Sequence, residues 1–393
     1  MLRNRKFAPA GFAAAYLHDH FDVAERLSSV DESPPTLQLE QVLQRARALE
    51  PLSLDDCVLL VRSKNSPLLA QTVMEAANDV RAAVFGNQVK FYVPVYITNV
   101  CVNNCLYCGF RKDNKELARI VLTPSRFAKE VEYLLNLGHR HIEIVLGYHP
   151  KVTNGKRLAH YVEPVRAMLS QRGGGTVILM SEPMHREDYE AAKAAGVSEV
   201  YSWQETYHPD TYQALHPPGT HKADQAWRYQ LFDRALDAGI SRVGLGVLSG
   251  LYDWAYDELS LLRHGLWIRD RSGTDPYAFG VPRFKPGDGI PIAAVEHAVD
   301  DFHYKLSIAI RRLMFPRTHT YMNSREDLSL LIELLKCGGT EINAEASTVP
   351  GGYTSNADVG RQFFHYSFDS AQVFEQLRIE GFAPTFEEVL PKL

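Results

Sequence analysis

The sequence predicts an α/β protein built around a (β/α)8 barrel with an N-terminal helical extension. From about residue 91 onward, short apolar runs typical of strands alternate with longer amphipathic stretches typical of helices, and there are eight such runs. Unusual polar residues follow the ends of these runs, which is where the mouth of a barrel would gather them. Periodicity alone leaves a doubly wound parallel sheet as the structural alternative.

The chain that precedes the barrel is predicted to be mostly helical. The first 35 residues are weakly patterned and are interpreted as a weakly ordered leader. After them, apolar side chains recur at helical spacing that Pro51 and Pro67 interrupt, which predicts three helices. The predicted organisation is a leader, an N-terminal helical extension, a barrel and a C-terminal extension of helix and loop, at residues 1–35, 36–88, 89–350 and 351–393.

The barrel elements follow in alternating order. The eight predicted strands cover 91–97, 141–146, 176–180, 199–203, 242–247, 277–281, 317–322 and 340–344. The helices predicted between and after them cover 123–137, 156–171, 185–195, 223–238, 253–269, 291–314 and 325–336. Since each parallel strand needs a crossover connection, eight alternations over ~250 residues are what a (β/α)8 barrel requires.

Each predicted strand is followed by polar residues that could serve a site. After the first four strands come Cys101, Cys105 and Cys108, then Gly147 and His149, then Ser181 and Glu182, then Gln204, Glu205, Tyr207 and His208. After the last four come Gly250, Tyr252 and Asp253, then Arg283 and Lys285, then Asn323, Ser324 and Arg325, then Ser347 and Thr348. Because the carboxyl ends of the strands meet at one mouth, these residues are expected to share one site.

Composition excludes several classes of function. The 393 residues are 45% hydrophobic, which is enough for one large domain and flanking helices. The net charge of −5, without a long block of one sign, indicates neither a nucleic acid nor an anionic membrane as partner. No apolar run approaches the ~20 residues that span a bilayer, so a cytoplasmic location is expected. The basic first residues leave an organelle address open.

Three of the five cysteines form one short motif, Cys101-x3-Cys105-x2-Cys108. An odd number of cysteines with this spacing does not resemble a disulfide framework. Three thiolates so close together can hold three corners of a [4Fe–4S] cluster and leave the fourth iron open to another ligand. The alternative is a zinc site, which would need a fourth ligand such as His149 or His208.

This loop resembles the cluster-binding motif of the radical S-adenosylmethionine (SAM) superfamily. The resemblance narrows to its aromatic amino acid lyase branch, which includes 2-iminoacetate synthase, the tyrosine lyase of thiamine thiazole synthesis, as well as a tyrosine lyase that matures [FeFe]-hydrogenase and a tryptophan lyase. It extends over about residues 50–385 and rests on the segments PVYITNVCVNNCLYCGFRKDN, WQETYHPDTYQALHP, LFDRALDAGI, GLGVLSGLYD, VPRFKP, NSRED and TVPGGYT.

The resemblance implies a radical mechanism. SAM would bind the open iron, and its cleavage would give a 5′-deoxyadenosyl radical that removes a hydrogen atom from the substrate amino group. The Cα–Cβ bond then breaks, which for L-tyrosine releases p-cresol and 2-iminoacetate (dehydroglycine). The implied partners are an aromatic amino acid, a low-potential electron donor of the ferredoxin or flavodoxin type, and a thiazole synthase that consumes the product.

The resemblance also implies roles for individual residues. Arg325 would bind the substrate carboxylate with help from Ser324 and Asn323, because a guanidinium can bind both oxygens. Glu205 and His264 are candidate catalytic or substrate residues, whereas the candidate cofactor-binding residues are Tyr107, Gly147, Glu182, Arg283 and Lys285. Purely structural roles remain the alternative for Tyr107, Lys285 and His264, and a surface ion pair remains the alternative for Arg325.

Two departures from the family pattern limit the interpretation. After Gly381 the chain has no cysteine, whereas the hydrogenase maturase continues into a set that holds a second cluster. Tyr148 stands where the family usually has a glutamate that receives the amino group of SAM, and Glu182 is the candidate replacement. This change keeps two alternatives open, namely a lyase for tryptophan or another aromatic amino acid, and an iron–sulfur carrier that lost SAM cleavage.

Overall fold

The N-terminal extension consists of three helices, as predicted. The structure, a computed structural model, describes Gly11, Tyr16 and residues 22–28, 30–150, 154–280, 282–292, 294–355 and 359–392. The three helices are α1 (Thr36–Arg47), α2 (Leu54–Arg62) and α3 (Pro67–Phe85). A capping box between Ser53 and Asp56 begins α2, because the serine hydroxyl accepts from the Asp56 amide and the aspartate accepts from the Ser53 amide. Much of the predicted leader, residues 1–35, lies outside the described residues.

Eight parallel strands form a closed barrel. They are β1 (Gln88–Thr98), β2 (His141–Leu146), β3 (Thr176–Met180), β4 (Glu199–Trp203), β5 (Arg242–Gly246), β6 (Ala278–Gly280), β7 (His319–Tyr321) and β8 (Glu341–Asn343). Each strand pairs with the next, β8 pairs with β1, and β1 pairs with β2. The predicted (β/α)8 barrel is therefore confirmed, and the doubly wound sheet is excluded because the sheet closes. The predicted bounds of β2, β3 and β4 agree with the structure residue for residue.

The connecting helices lie between the strands. They are α4 (Pro124–Asn136), α5 (Gly155–Gln171), α6 (Arg186–Ala195), α7 (Pro209–Leu215), α8 (Gln225–Tyr229), α9 (Leu231–Asp237), α10 (Trp254–Ser272), α11 (Asp301–Met314) and α12 (Leu328–Lys336). Helix α7 was not predicted, and the predicted helix 223–238 is divided at Gln230. The predicted helix 291–314 begins only at Asp301, because Asp300 caps its first turn through the His303 amide.

Side chains that point into the barrel form layers of different chemistry. The layer nearest the N-terminal ends of the strands, which we call the lowest, is charged and includes Lys90, Glu199 and Glu341, all of them buried. Above it lies an aromatic layer in which Tyr92 stacks on Tyr321, with ring centroids 3.8 Å apart. Room for large rings comes from glycines on two other strands: a Cβ atom at Gly244 would collide with the Tyr201 ring, and one at Gly280 would collide with the Trp203 indole. The barrel is thus a packed core with its open end at the strand C-termini.

The C-terminal extension touches both ends of the barrel. At the mouth, the Gly109 amide donates to the Gln362 carbonyl at 2.9 Å, and the Tyr366 amide donates to the Ser324 carbonyl. The chain then forms α13 (Ser370–Ile379) and β9 (Ala383–Thr385), which pairs in parallel with the start of β1. In the part of the chain that the structure describes, no helix is both long enough and apolar enough to cross a membrane.

Candidate active site

The three cysteines of the predicted motif lie in one loop after β1 and line a single cavity at the mouth of the barrel. Burial raises the pKa of Cys101 to about 11 and also raises those of Cys105 and Cys108, and negative charge on any one of these sulfurs opposes ionisation of another. Metal binding to these thiols has to displace their protons, because the thiolate is the ligand. Their spacing in one loop and their common cavity are what favour a shared cluster. The donor set thus fits a [4Fe–4S] cluster held at three corners.

Neither histidine that was considered as a zinc ligand lines this cavity. His208 caps α7 through the Thr211 amide and stacks on Tyr252 with centroids 3.7 Å apart. Within the described residues, no three His, Cys, Asp or Glu side chains surround one ion-sized point. In a [4Fe–4S] cluster each thiolate binds a different iron atom, so the three cysteine sulfurs do not have to surround one point.

The cysteine loop is held in place by backbone contacts. The Val102 amide donates to the Tyr148 carbonyl at 2.8 Å, and the Gly147 amide donates to the Thr98 carbonyl at 2.9 Å. A Cβ atom at Gly147 would collide with the Val100 carbonyl oxygen, so this close approach of the strand β2 end to the loop requires glycine. Arg119, which sequence reasoning missed, donates to four carbonyl groups of residues 99–114 and fixes the loop from the other side.

Four buried charges form a closed set on the opposite wall of the cavity, and we call this set the Glu182 cluster. Lys222 donates to Glu182 and to Glu205, each at 2.8 Å, and Arg228 lies 2.8 Å from Glu182 and 3.2 Å from Glu205. Burial alone would raise the carboxyl pKa values, but the two cations lower the pKa of Glu182 to about 2 and also lower that of Glu205. Both carboxylates are therefore ionised at neutral pH.

Sequence reasoning predicted the two carboxylates of the Glu182 cluster but missed its cations. Lys222 and Arg228 follow β4 at no recognisable spacing, in a 3-10 turn and in α8. The signal that could have found them was indirect, because two carboxylates at neighbouring strand ends cannot be buried without cations. Glu205 itself has a φ of 68°, a conformation that is uncommon for residues other than glycine and is often found at functional sites.

Tyr107 belongs to the cysteine loop and lies next to the Glu182 cluster. Its hydroxyl donates to Nε2 of His216 at 2.7 Å, since Nδ1 of that histidine donates to the Tyr212 carbonyl. Burial lowers the pKa of His216 to about 3, so the imidazole is neutral. The ammonium of Lys222 lies 5.7 Å from the centroid of the Tyr107 ring. The structure thus places Tyr107 in the cavity wall, where it was expected.

Arg325 presents a buried guanidinium to the cavity and forms no ion pair within the described part of the chain. The residue is 9% exposed, its Nη1 donates to the Arg283 carbonyl at 3.3 Å, and its guanidinium lies 3.5 Å from the centroid of the Phe363 ring. Its Nε has no hydrogen-bond partner among the described residues. Beside it, the Ser324 amide donates to Asn343. Because an unbalanced buried cation is costly, this arrangement fits a site for an anionic ligand group.

Several strand-end residues that were expected at the site do not line the cavity, namely Gln204, Tyr207, Gly250, Tyr252, Asp253 and Ser347. Three residues to which the resemblance gave a role do not line it either. The guanidinium of Arg283 binds Glu326, at 2.9 Å from Nε, and Asp301, at 2.7 Å from Nη1. Lys285 lies 3.5 Å from the same Glu326 carboxylate. His264 is buried behind the barrel, where its Nδ1 lies 2.7 Å from the Tyr207 hydroxyl. Each of these side chains already has an acidic or aromatic partner outside the cavity. Their positions in the sequence did not predict these partners.

Further polar atoms in the cavity wall have no partner in the part of the chain that the structure describes. They include Oδ1 of Asn103, Oγ1 of Thr348 and Oε1 of Glu143. Burial raises the pKa of Glu143 to about 7. SAM carries an amino group, a carboxylate, ribose hydroxyls and a purine. A cavity with unpartnered acceptors, the Glu182 cluster and aromatic surfaces fits such a molecule.

Comparisons with known proteins agree with this geometry. A sequence profile described as the Radical SAM superfamily matches residues 95–262. The chain is similar to "2-iminoacetate synthase" of Escherichia coli strain K12, with 30% identity over 349 residues that cover 88% of this chain and 90% of the relative.

The solved structures lead to the same group of proteins. A crystal structure of HydG, described as a maturase of the [FeFe]-hydrogenase, has a TM-score of 0.88 and 26% identity, with coverage of 94% of this chain and 81% of that one. HydG from Carboxydothermus hydrogenoformans has a TM-score of 0.84 and 27% identity, with coverage of 95% and 85%.

Proposed function

This chain belongs to the radical SAM tyrosine lyase family, and we propose that it cleaves the Cα–Cβ bond of L-tyrosine to give 2-iminoacetate and p-cresol. It is a radical SAM enzyme that acts on carbon–carbon bonds, and its cofactors are a [4Fe–4S] cluster and SAM. The choice of tyrosine is the part of this statement that needs an experiment.

One observation carries the proposal. The unbalanced guanidinium of Arg325 faces the same cavity as the three cysteines. A free amino acid brings a carboxylate, and a guanidinium can bind both of its oxygens in one plane. We assign Arg325 to the substrate carboxylate, with Ser324 and Asn323 as neighbouring polar groups, and Cys101, Cys105 and Cys108 to the cluster.

When bound, the reduced cluster and SAM supply a 5′-deoxyadenosyl radical that removes a hydrogen atom from the substrate. The protein contributes binding and exclusion of water. Phe363 and Gln362 of the C-terminal extension line the cavity beside Arg325, and the Tyr96 hydroxyl donates to Gln362 at 2.7 Å. This cover shields the reacting atoms from solvent and from side reactions.

We assign Tyr107, Gly147 and the Glu182 cluster to the cofactor side of the cavity. Tyr148 lines the same wall, but a phenol supplies no negative charge for an amino group. Both oxygens of Glu182 already accept from Lys222 and Arg228, so any ammonium that binds Glu182 must share it with these cations. Glu205 belongs to the same cluster and has the same constraint at Oε1.

The proposal extends to partners. A low-potential donor of the ferredoxin or flavodoxin type supplies the electron, and a thiazole synthase is the proposed consumer of 2-iminoacetate. We place the enzyme in the cytoplasm, because the ligand thiols have to stay reduced.

The test is anaerobic incubation of the reconstituted enzyme with SAM, dithionite and single amino acids. We expect p-cresol from L-tyrosine, with 5′-deoxyadenosine formed in parallel. An indole product from L-tryptophan, with none from tyrosine, would contradict the tyrosine assignment. The electron paramagnetic resonance spectrum of the reduced protein should also change when SAM is added, because SAM binds the open iron.

A further inference from the structure

Glu143 is a carboxyl group inside the barrel that the mechanism above does not use. It lies on β2, three residues before the end of the strand, or about 10 Å along the strand from the mouth. The residue is 4% exposed, and its side chain lines the cavity that also contains the cysteines and Arg325. Oε1 has no hydrogen-bond partner in the described residues.

The surroundings of Glu143 are aromatic. Tyr92, Tyr321 and Trp203 line the same lower part of the cavity, and Tyr321 contacts both of the others through its ring. The Tyr92 hydroxyl is already used, because it donates to the Met322 carbonyl at 2.8 Å. The Tyr321 hydroxyl donates to the Glu143 carboxyl, which leaves Oε1 of that carboxyl without a partner among the described residues. An aromatic surface with one carboxyl oxygen left over is suited to a flat side chain that ends in a hydrogen-bond donor.

Arg325 and Glu143 line the same cavity at different distances from the mouth of the barrel. Both affect Tyr96, whose hydroxyl pKa is raised first by burial and then by Glu143, and is lowered by Arg325. Because both residues line one cavity, a substrate whose carboxylate binds Arg325 near the mouth has room there for a side chain that extends towards Glu143. The unpartnered oxygen would otherwise remain a cost of about 1–3 kcal/mol to the fold.

We propose that Glu143 accepts a hydrogen bond from the far end of the substrate side chain and thereby selects an aromatic amino acid that carries a donor there, such as the phenol of tyrosine. This inference rests on the proposed function and deepens it. It assigns to Glu143 the rejection of phenylalanine, which has the same ring but no donor. A substrate without the donor leaves the buried acceptor unpaired, and a site of this kind can favour the substrate that carries the donor by ~10⁴-fold or more.

The experiment compares three variants of the cluster-loaded enzyme. Glu143→Leu removes the acceptor, and Glu143→Gln keeps an acceptor oxygen. Glu199→Gln is the matched control, because Glu199 is also a buried carboxyl on the barrel interior but lies in the charged lowest layer, away from the cavity. Circular dichroism and iron content establish that each variant is folded and loaded.

Two readouts are measured for L-tyrosine and L-phenylalanine. The first is kcat/KM together with the ratio of 5′-deoxyadenosine to cleaved product. The second is the dissociation constant from calorimetry with SAM present, which does not depend on turnover. We expect Glu143→Leu to lose about 100-fold in kcat/KM for tyrosine and to weaken tyrosine binding. The value for phenylalanine should rise, because no acceptor is then left unpaired against its ring. Glu143→Gln should recover part of the loss, and Glu199→Gln should keep the discrimination.

The outcomes separate this proposal from the proposed function. If the parent enzyme forms p-cresol while Glu143→Leu keeps the parent ratio of tyrosine to phenylalanine, the role of Glu143 is wrong and the lyase assignment survives. If no p-cresol forms, the binding data decide: tyrosine or tryptophan binding tighter than phenylalanine, with the preference lost in Glu143→Leu, supports Glu143. Tighter binding of L-lysine than of any aromatic amino acid would overturn it.

Discussion

The barrel contains buried charges at both ends, and the two ends differ in how these charges are balanced. At the closed end, Lys90 lies 2.6 Å from Glu341, and His319 lies 2.9 Å from the same carboxylate. At the mouth, Lys222 and Arg228 balance Glu182 and Glu205, but Arg325 forms no ion pair with any residue that the structure describes. Buried charge is therefore common to both ends. Arg81 and Arg312 near the closed end also form no ion pair in the described residues, but carbonyl oxygens accept from their guanidinium groups. Arg325 differs from them because its Nε has no partner in the described residues and it lines a cavity.

The origin of the charges also differs. The closed end is built from the first residues of strands, such as Lys90, Glu199 and Glu341, together with Glu388 from the C-terminal extension. The mouth is built from loops that follow the strands. In (β/α)8 barrels, residues at the N-terminal ends of the strands support stability, and residues in the loops that follow the strands support chemistry. The comparison teaches that a buried ion pair is weak evidence for an active site until its position and balance are known.

The largest effect is expected at the cysteines. Cys105→Ala should abolish 5′-deoxyadenosine formation, since a cubane with two protein ligands is not retained. Iron and sulfide analysis and the 5′-deoxyadenosine assay check this. Cys337→Ala is the matched control, because Cys337 is also buried but lies away from the cavity, and it should keep its iron. Full turnover by Cys105→Ala would contradict the cluster assignment.

A change at the closed end should affect stability and leave substrate binding alone. Lys90→Met strands the Glu341 carboxylate, which Lys90 and His319 hold at a pKa of about 2 against the effect of burial. We expect a loss of about 3–5 kcal/mol in the free energy of unfolding, measured by urea denaturation. The KM for the amino acid should not change in the folded fraction. A raised KM with unchanged stability would remove the distinction between the two ends.

A change at the mouth should do the reverse. Arg325→Lys keeps the charge but loses the two-point geometry, so the KM for the amino acid should rise by about 10- to 100-fold. The stability of this variant should fall little, because Arg325 is not balanced by a carboxylate. Arg242→Lys at the closed end is the control, since Arg242 pairs with Glu199 and Glu388 and should not alter KM.

The smallest effect concerns pH and tests whether Glu143 belongs to the mouth. Burial raises the pKa of this carboxyl from 4.5 to about 7, with Glu341 adding to the rise and Tyr321 opposing it. The folded state therefore holds a proton that the unfolded chain has already released. The stability contributed by the protonated form is complete below pH 4.5, declines as the pH rises, and is lost once the pH has passed 7.

Compared with Glu143→Gln, the parent protein should lose about 1.4 kcal/mol of unfolding free energy for each pH unit between these limits, or roughly 3 kcal/mol in all. Denaturation at a series of pH values measures the difference, in which other titrating groups cancel. If the difference is constant with pH, Glu143 does not titrate in this range. Bound L-tyrosine should reduce the slope, because a phenol that donates to Glu143 favours the ionised carboxylate.

Much of the barrel could be predicted because its pattern is local. Strands such as 141–146 are short apolar runs bounded by turns, and their period does not depend on distant contacts. The cysteine motif was equally local, because the spacing of its thiols is a property of one loop. Prediction was poorer for 291–314, because Pro291 is typical of a first helical residue, whereas the helix begins only at Asp301 after the Asp300 cap.

The site residues show where local pattern stops being sufficient. A strand-end position predicted Arg325 in the cavity, but it also predicted Arg283, whose guanidinium binds Glu326 and Asp301. Lys222 and Arg228 were missed because their partners are distant in the chain. Glu143 was hidden inside an apolar run, in which one carboxyl does not disturb the periodicity.

The sequence by itself determined the order of the eight strands, the spacing of the three candidate thiol ligands and the family to which the resemblance pointed. These are encoded by spacing over a few residues. Tertiary structure decided which cations balance Glu182 and Glu205, which arginine remains unbalanced, and which carboxyl lies below the mouth. The physical reason is that charge balance and burial depend on side chains brought together by closure of the barrel, and no local pattern records those distances.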